Sequence, residues 1–339
     1  MVHDATTPST AAITPTKTAE GFWGVFIRRA RYAAAITLGG LLFYYVGWLF
    51  AVPPAAYGGV SLTAWSVSGG LTAAAALFGL LVAALLLSML IAHPDAPYVG
   101  PYCAFLGLAG LAIHGGDISA LTRLGQTQNT LGTIYQRLAI ECVQWAIILF
   151  LVEIIARGLY ARFFSNIRWL ERLGADEHKL KVFKGRLPMY RQTPAHVEAP
   201  GSTRPHLAEQ FFAFGIACVA AFVALHVTMQ SQTKGQVLFA CLASFFIAGL
   251  AARYFAPHAD TWPVIFSVPA VAAFGYLSAR SGTNTGELVF PGHAYSTLAR
   301  ALPIDYLSAG VPGAILGYAL AMKLQLHQHL FESAESKSA

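Results

Sequence analysis

The residues that could do chemistry are few in this chain, and the densest group lies within one apolar run. Arg137, Glu141 and Gln144 fall within about a quarter-turn of one another at roughly 100° per residue, so a helix over 132–157 presents them on one face. A charge at membrane depth costs roughly 3 kcal/mol or more unless it is paired or wet, which makes these three candidates for binding a substrate or ion. The competing reading is structural: an Arg137–Glu141 ion pair at i, i+4, with Gln144 hydrogen-bonded to a neighbouring helix. Glu153 lies on another face, and Arg157 four residues on predicts an interfacial pair.

A second set comes together by topology alone. His114, Asp117, His226, Glu287, His293 and Asp305 all fall toward the outer side. Imidazoles with carboxylates are the ligands of zinc and other borderline metals, which makes His114, Asp117 and His293 weak metal candidates. No H-x-x-x-H or H-E-x-x-H spacing joins them. His226 lies about one turn inside the fifth apolar run and joins Arg137, Glu141 and Gln144 as a candidate substrate or ion ligand. A helix-contact hydrogen bond is its alternative role. Well-inserted histidines are too few to hold a haem between facing helices. The four cysteines, Cys103, Cys142, Cys218 and Cys241, sit in apolar runs without a C-x-x-C pair and read as core residues. The sequence holds no P-loop, Rossmann glycine pattern or G-x-S-x-G elbow, so no cofactor is expected and an enzyme is disfavoured.

The elements that carry these residues follow from composition. The chain is 56% hydrophobic and 11% charged, far below the roughly 25% charged of soluble domains. Its apolar runs of about 20 residues each suffice to cross about 30 Å of hydrocarbon as helices. They lack period-2 alternation, which argues against a barrel. Eight spans are predicted, at about 32–52, 69–92, 97–114, 132–157, 208–230, 236–256, 263–280 and 305–324. The expected fold is thus an all-α polytopic integral membrane helix bundle. Residues 115–131 are too polar to cross and predict a short surface helix or re-entrant loop with Ile118, Leu121 and Leu124 as its apolar stripe. Residues 53–68 read as an outer loop.

Orientation comes from residues 157–205, which hold ten Lys/Arg against four Asp/Glu. With both termini inside, cytoplasmic segments hold 17 of the 22 Lys/Arg, as the positive-inside bias requires. A cytoplasmic (inner) membrane location with both ends cytoplasmic is expected. The same clustering accounts for the net charge of +6 without a nucleic-acid partner. Residues 1–20 read as a disordered tail, 21–157 as a first membrane half of four spans and 158–207 as a basic amphipathic helix and linker. A second half of four spans follows over 208–326, with a tail at 327–339. The turns His93-Pro94-Asp95 and His258-Ala259-Asp260 occupy the same place in each half, compatible with a four-plus-four parallel repeat or with two independently capped helix starts. Gly313-x-x-x-Gly317-x-x-x-Ala321 is a close-packing seam, within the chain or in a homo-oligomer.

Three function classes remain. A transporter or channel-like protein for a small solute or ion would use the polar face of the fourth span, in the outer half of the bundle. A non-catalytic scaffold or assembly subunit would dock a protein partner or anionic lipid through Arg162, Arg168 and Arg172. A membrane-embedded metal-dependent hydrolase or transferase would use the outer histidines and carboxylates, and spacing gives it no support.

Overall fold

A backbone in hydrocarbon has no water to bond to, and the local way to satisfy every N–H and C=O is a helix. The computed structural model describes residues 22–51, 58–63, 70–92, 99–159, 207–283 and 296–338. Helix α1 is Phe22–Leu41, continued by a π-helical turn Leu42–Gly47 and by Trp48–Ala51; α2 is Leu71–Ala92 and α3 is Val99–His114. The short α4, Ser119–Thr127, precedes α5, Leu131–Leu159. The second half holds α6 (Leu207–Thr228), α7 (Lys234–Phe255) and α8 (Trp262–Thr283). Then come a 3-10 turn Thr297–Arg300 and α9, which starts as Pro303–Asp305, widens to a π turn at Tyr306–Gly310 and runs on as Val311–Ser338.

Seven of these helices are long and apolar enough to cross a membrane. The third expected span, α3, has 16 residues and a length of about 24 Å, and it packs against both α1 and α2. Residues 115–131 form the short helix expected there: Ile118 and Leu121 are buried, and Leu124 is half-buried. Two boundaries differ from the sequence reading. Helix α1 takes in the aromatic and basic stretch from Phe22, ahead of the expected start near residue 32. Helix α9 runs to Ser338, through the expected tail, because no Gly or Pro follows Gly317 to stop it. The tail at 1–20, the turn at 93–95, the basic segment with Arg162, Arg168 and Arg172, and Glu287 and His293 lie outside the described residues.

We call the end where α1 begins the base and the opposite end the crown. Helices α1, α3, α6 and α8 rise to the crown, and the long helices between them descend. Parallel neighbours approach backbone to backbone. Gly107 and Gly110 of α3 lie on Gly39 and Gly40 of α1, while Gly313 and Gly317 of α9 lie on the Leu242 and Phe246 carbonyls of α7. The Gly313–Gly317 seam is thus covered by a helix of the same chain. The halves meet where α5 packs on α8 and α9 on α3. On α5 the buried stripe is Leu138, Cys142, Trp145, Leu149 and Val152, and Val143, Ile147, Phe150 and Ile154 face outward. Both faces are apolar, as lipid on one side and protein on the other require.

A methyl at Gly317 would sit 2.0 Å from the Phe246 carbonyl oxygen. Gly317→Ala is expected to push α9 off α7 and cost about 1–3 kcal/mol, read as a lower thermal midpoint in detergent. Gly215→Ala, where the methyl meets nothing within 4 Å, is expected to leave the midpoint unchanged or raise it.

Candidate functional site

The site is built where helix gives way to irregular backbone inside the crown. Residues 58–63 (Gly-Gly-Val-Ser-Leu-Thr) turn inward from the crown instead of staying in an outer loop. Val60, Ser61, Leu62 and Thr63 are all buried. The amide groups of this segment need partners, and Glu141 provides one. Ten residues into α5, about 15 Å from its crown end, the Glu141 side chain is 1% exposed. Its Oε2 accepts hydrogen bonds from Ser61 Oγ (2.5 Å), Leu62 N (3.0 Å) and Thr63 N (3.4 Å). Its Oε1 accepts one from Trp145 Nε1 (3.3 Å), one turn toward the base. The Thr63 hydroxyl donates to the Arg137 carbonyl at 2.8 Å and lies 3.3 Å from Glu141 Oε2.

Glycines make the inward turn sterically feasible. Gly70 has φ +67°, and a Cβ there would overlap the Leu62 carbonyl oxygen at 1.8 Å. Gly59 lies between the Asp117 carbonyl and the Leu302 side chain, and Gly116 N donates to Gly58 O. Three crown segments, from both halves of the chain, therefore meet above Glu141.

The second half closes its own crown with polar contacts. Lys234 Nζ, at the first residue of α7, reaches both oxygens of Asp305 at 2.8 and 3.1 Å. Asp305 is 2% exposed, and its Oδ2 also accepts from Leu302 N at 3.0 Å. Arg300 donates to the Met229 and Gln230 carbonyls, and His226 Nδ1 meets Thr297 Oγ1 at 3.0 Å. From below, the hydroxyls of Tyr276 and Tyr306 donate to the Ala301 and Leu298 carbonyls.

The residues singled out from the sequence are dispersed. Glu141 is in the core; Arg137 has an exposed side chain and contributes its carbonyl; Gln144 is half-buried. His226 is exposed beside Phe222 and Thr297. His114 stacks between Tyr44 and Trp48, at 4.1 and 4.0 Å between ring centres, and donates through Nδ1 to the Tyr44 carbonyl in the π turn. Asp117 accepts from Ser119 N and Oγ at the start of α4. Among the described residues no three His, Cys, Asp or Glu side chains come close enough to share a metal. The Glu153–Arg157 pair forms, at 2.8 Å. Sequence reasoning missed Ser61, Thr63, Trp145 and Lys234. The available signal was the pair of double glycines, Gly58-Gly59 and Gly69-Gly70, around a stretch with two hydroxyls.

Comparison of the chain with protein families, with curated proteins and with solved structures finds no match. The fold and its apolar exterior define a class, the polytopic all-α integral membrane proteins. Within that class, this chain is distinguished by a carboxylate buried under a re-entrant segment and a nearly buried Lys–Asp pair at the same end.

Removing one partner of a buried ion pair leaves an uncompensated charge. Lys234→Met is expected to lower stability by about 3 kcal/mol in chemical unfolding of the detergent-solubilised protein, and adding Asp305→Leu is expected to restore most of it.

Proposed function

We propose that this protein moves a small solute or ion across its membrane, with Glu141 as the charged group of its site. The observation that carries the reading is a carboxylate held in the bundle core, in the crown half, beneath backbone that is not helical. Ionisable side chains at such depth are costly and mark substrate or ion pathways, and non-helical backbone at membrane depth is found where it is buried in protein or lines a path. Transporter sites are characteristically formed beside discontinuous structure of this kind. Further support comes from the base half, where a narrow, mostly apolar crevice runs between α3, α5, α8 and α9. It is lined by Pro101, Phe105, Leu149, Val152, Glu153 and Trp262 among others.

The test is flux into liposomes holding the purified full-length protein, scanning protons, monovalent cations and small polar solutes. Wild type is expected to carry at least one of these above protein-free liposomes. Glu141→Gln is expected to cut that flux at least tenfold while still inserting. Equal flux in the variant removes Glu141 from the site, and no flux in wild type removes the transport reading.

A further inference from the structure

The groups around Glu141 specify which ion it handles. A metal cation bound at a carboxylate needs several further oxygen ligands with free lone pairs. At Oε2 the described residues present two backbone N–H groups and at Oε1 an indole N–H, and the side-chain oxygens beside the carboxylate are limited to the Ser61 and Thr63 hydroxyls. N–H groups have no lone pair to offer a metal and repel it. The Thr63 hydroxyl lies within donating distance of both the Arg137 carbonyl, at 2.8 Å, and Oε2, at 3.3 Å. With its single proton on the nearer carbonyl, its oxygen can accept from a protonated Glu141. No titratable side chain lies in residues 58–63 or on α2. Titratable or charged groups toward the crown on the other surrounding elements include Tyr135, Arg137 and Cys142 on α5, Asp117 just before α4, Arg123 on α4 and His114 on α3. Tyr276 and Arg280 on α8 and Asp305 and Tyr306 at the start of α9 belong with them.

We propose that Glu141 is a proton-binding site, and that its proton sets how tightly residues 58–63 are held in the crown. When ionised, the carboxylate accepts charge-assisted hydrogen bonds, which are roughly twice as strong as neutral ones. A proton arriving at Oε2 forms an O–H bond donated to Thr63 Oγ1, leaves the carboxyl neutral and reduces the Leu62 and Thr63 N–H contacts to ordinary strength. The segment then loosens above the bundle core. This deepens the transport reading, on which it rests for its biological role, by naming the proton as the ion.

The experiment uses the full-length protein in lipid nanodiscs, compared by infrared difference spectroscopy and amide hydrogen exchange at about pH 8 and about pH 5. Acidification of wild type is expected to produce the carbonyl band of a buried protonated carboxyl, absent from Glu141→Gln. After correction for intrinsic exchange chemistry, the amides of residues 61–63 are expected to exchange at least fivefold faster at the lower pH in wild type. In Glu141→Gln they are expected to be fast at both. Should Glu141→Gln fail to fold, Thr63→Val keeps the carboxylate and the N–H donors but removes the acceptor, and is expected to shift the band. No Glu141 band, or exchange independent of pH in wild type, overturns the proposal, as does a band unmoved by Thr63→Val. A Glu141 band with pH-dependent exchange but no flux would sink the transport reading and leave the proton site standing. Flux without the band would do the reverse.

Discussion

Backbone buried in hydrocarbon without a helix around it has to find its hydrogen bonds elsewhere, and at the crown of this bundle Glu141 is where two of them are found. The Leu62 and Thr63 N–H groups point to one carboxylate oxygen, and Ser61 adds its hydroxyl. Without an acceptor at that depth, two amide groups would be desolvated and unpaired, at a cost of about 1–3 kcal/mol each. The carboxylate gains in turn, because donors replace the water it lost. Each feature accounts for the other: the buried carboxyl is tolerated because the loop supplies donors, and the loop's amides are satisfied because the carboxyl is there. The contacts above depend on this arrangement, since Gly58 and Gly59 meet Gly116, Asp117 and Leu302 only with the segment folded in.

The second half meets the same requirement with a different chemistry. Residues 296–305 are fastened to the α6–α7 turn by Arg300 and the Lys234–Asp305 pair and, from inside, by two tyrosine hydroxyls. In both halves an acidic residue on the last long helix accepts the amide of an incoming loop residue, Leu62 for Glu141 and Leu302 for Asp305. The charge states differ. Asp305 has an ammonium on both oxygens, whereas Glu141 has only neutral donors among the described residues. A group balanced by a permanent cation is poorly placed to exchange a proton, and one held by neutral dipoles is better placed, which is why the proton is assigned to Glu141.

Below the crown the architecture depends on small residues. Glycine pairs let α3 lie on α1 and α9 on α7. In a bilayer, helix association gains little from removing apolar surface from water, so close van der Waals contact carries more of it. At the base, Arg253 joins Gln325 and the Tyr318 hydroxyl, and Tyr318 donates to the Ala259 carbonyl, tying α7, α9 and the start of α8. Polar fastening thus occurs at both ends, where water or headgroups can share the cost, with apolar contact between. Glu141 is the ionisable exception.

Composition and run length by themselves determined the class of this protein. Apolar stretches of about 20 residues have no other stable form in a bilayer than helices. The elements at 71–92, 131–159, 207–228, 234–255 and 262–283 lie close to where hydropathy placed them. The short helix at 119–127 and the Glu153–Arg157 pair were legible because each depends on spacing within one segment. Glu141 could be singled out because a charge in an apolar run stands out, but its partners could not be named. Ser61 and Thr63 are 80 and 78 residues away, and the double glycines around this outer loop mark sharp turns without naming the helix it folds onto. Nor could the buried face of α5 be read, since lipid and protein core select the same apolar residues and leave no amphipathic stripe. Which face is lipid, which loop dips and which donors surround Glu141 were decided by tertiary packing, because in hydrocarbon these depend on where backbone groups find partners across the fold.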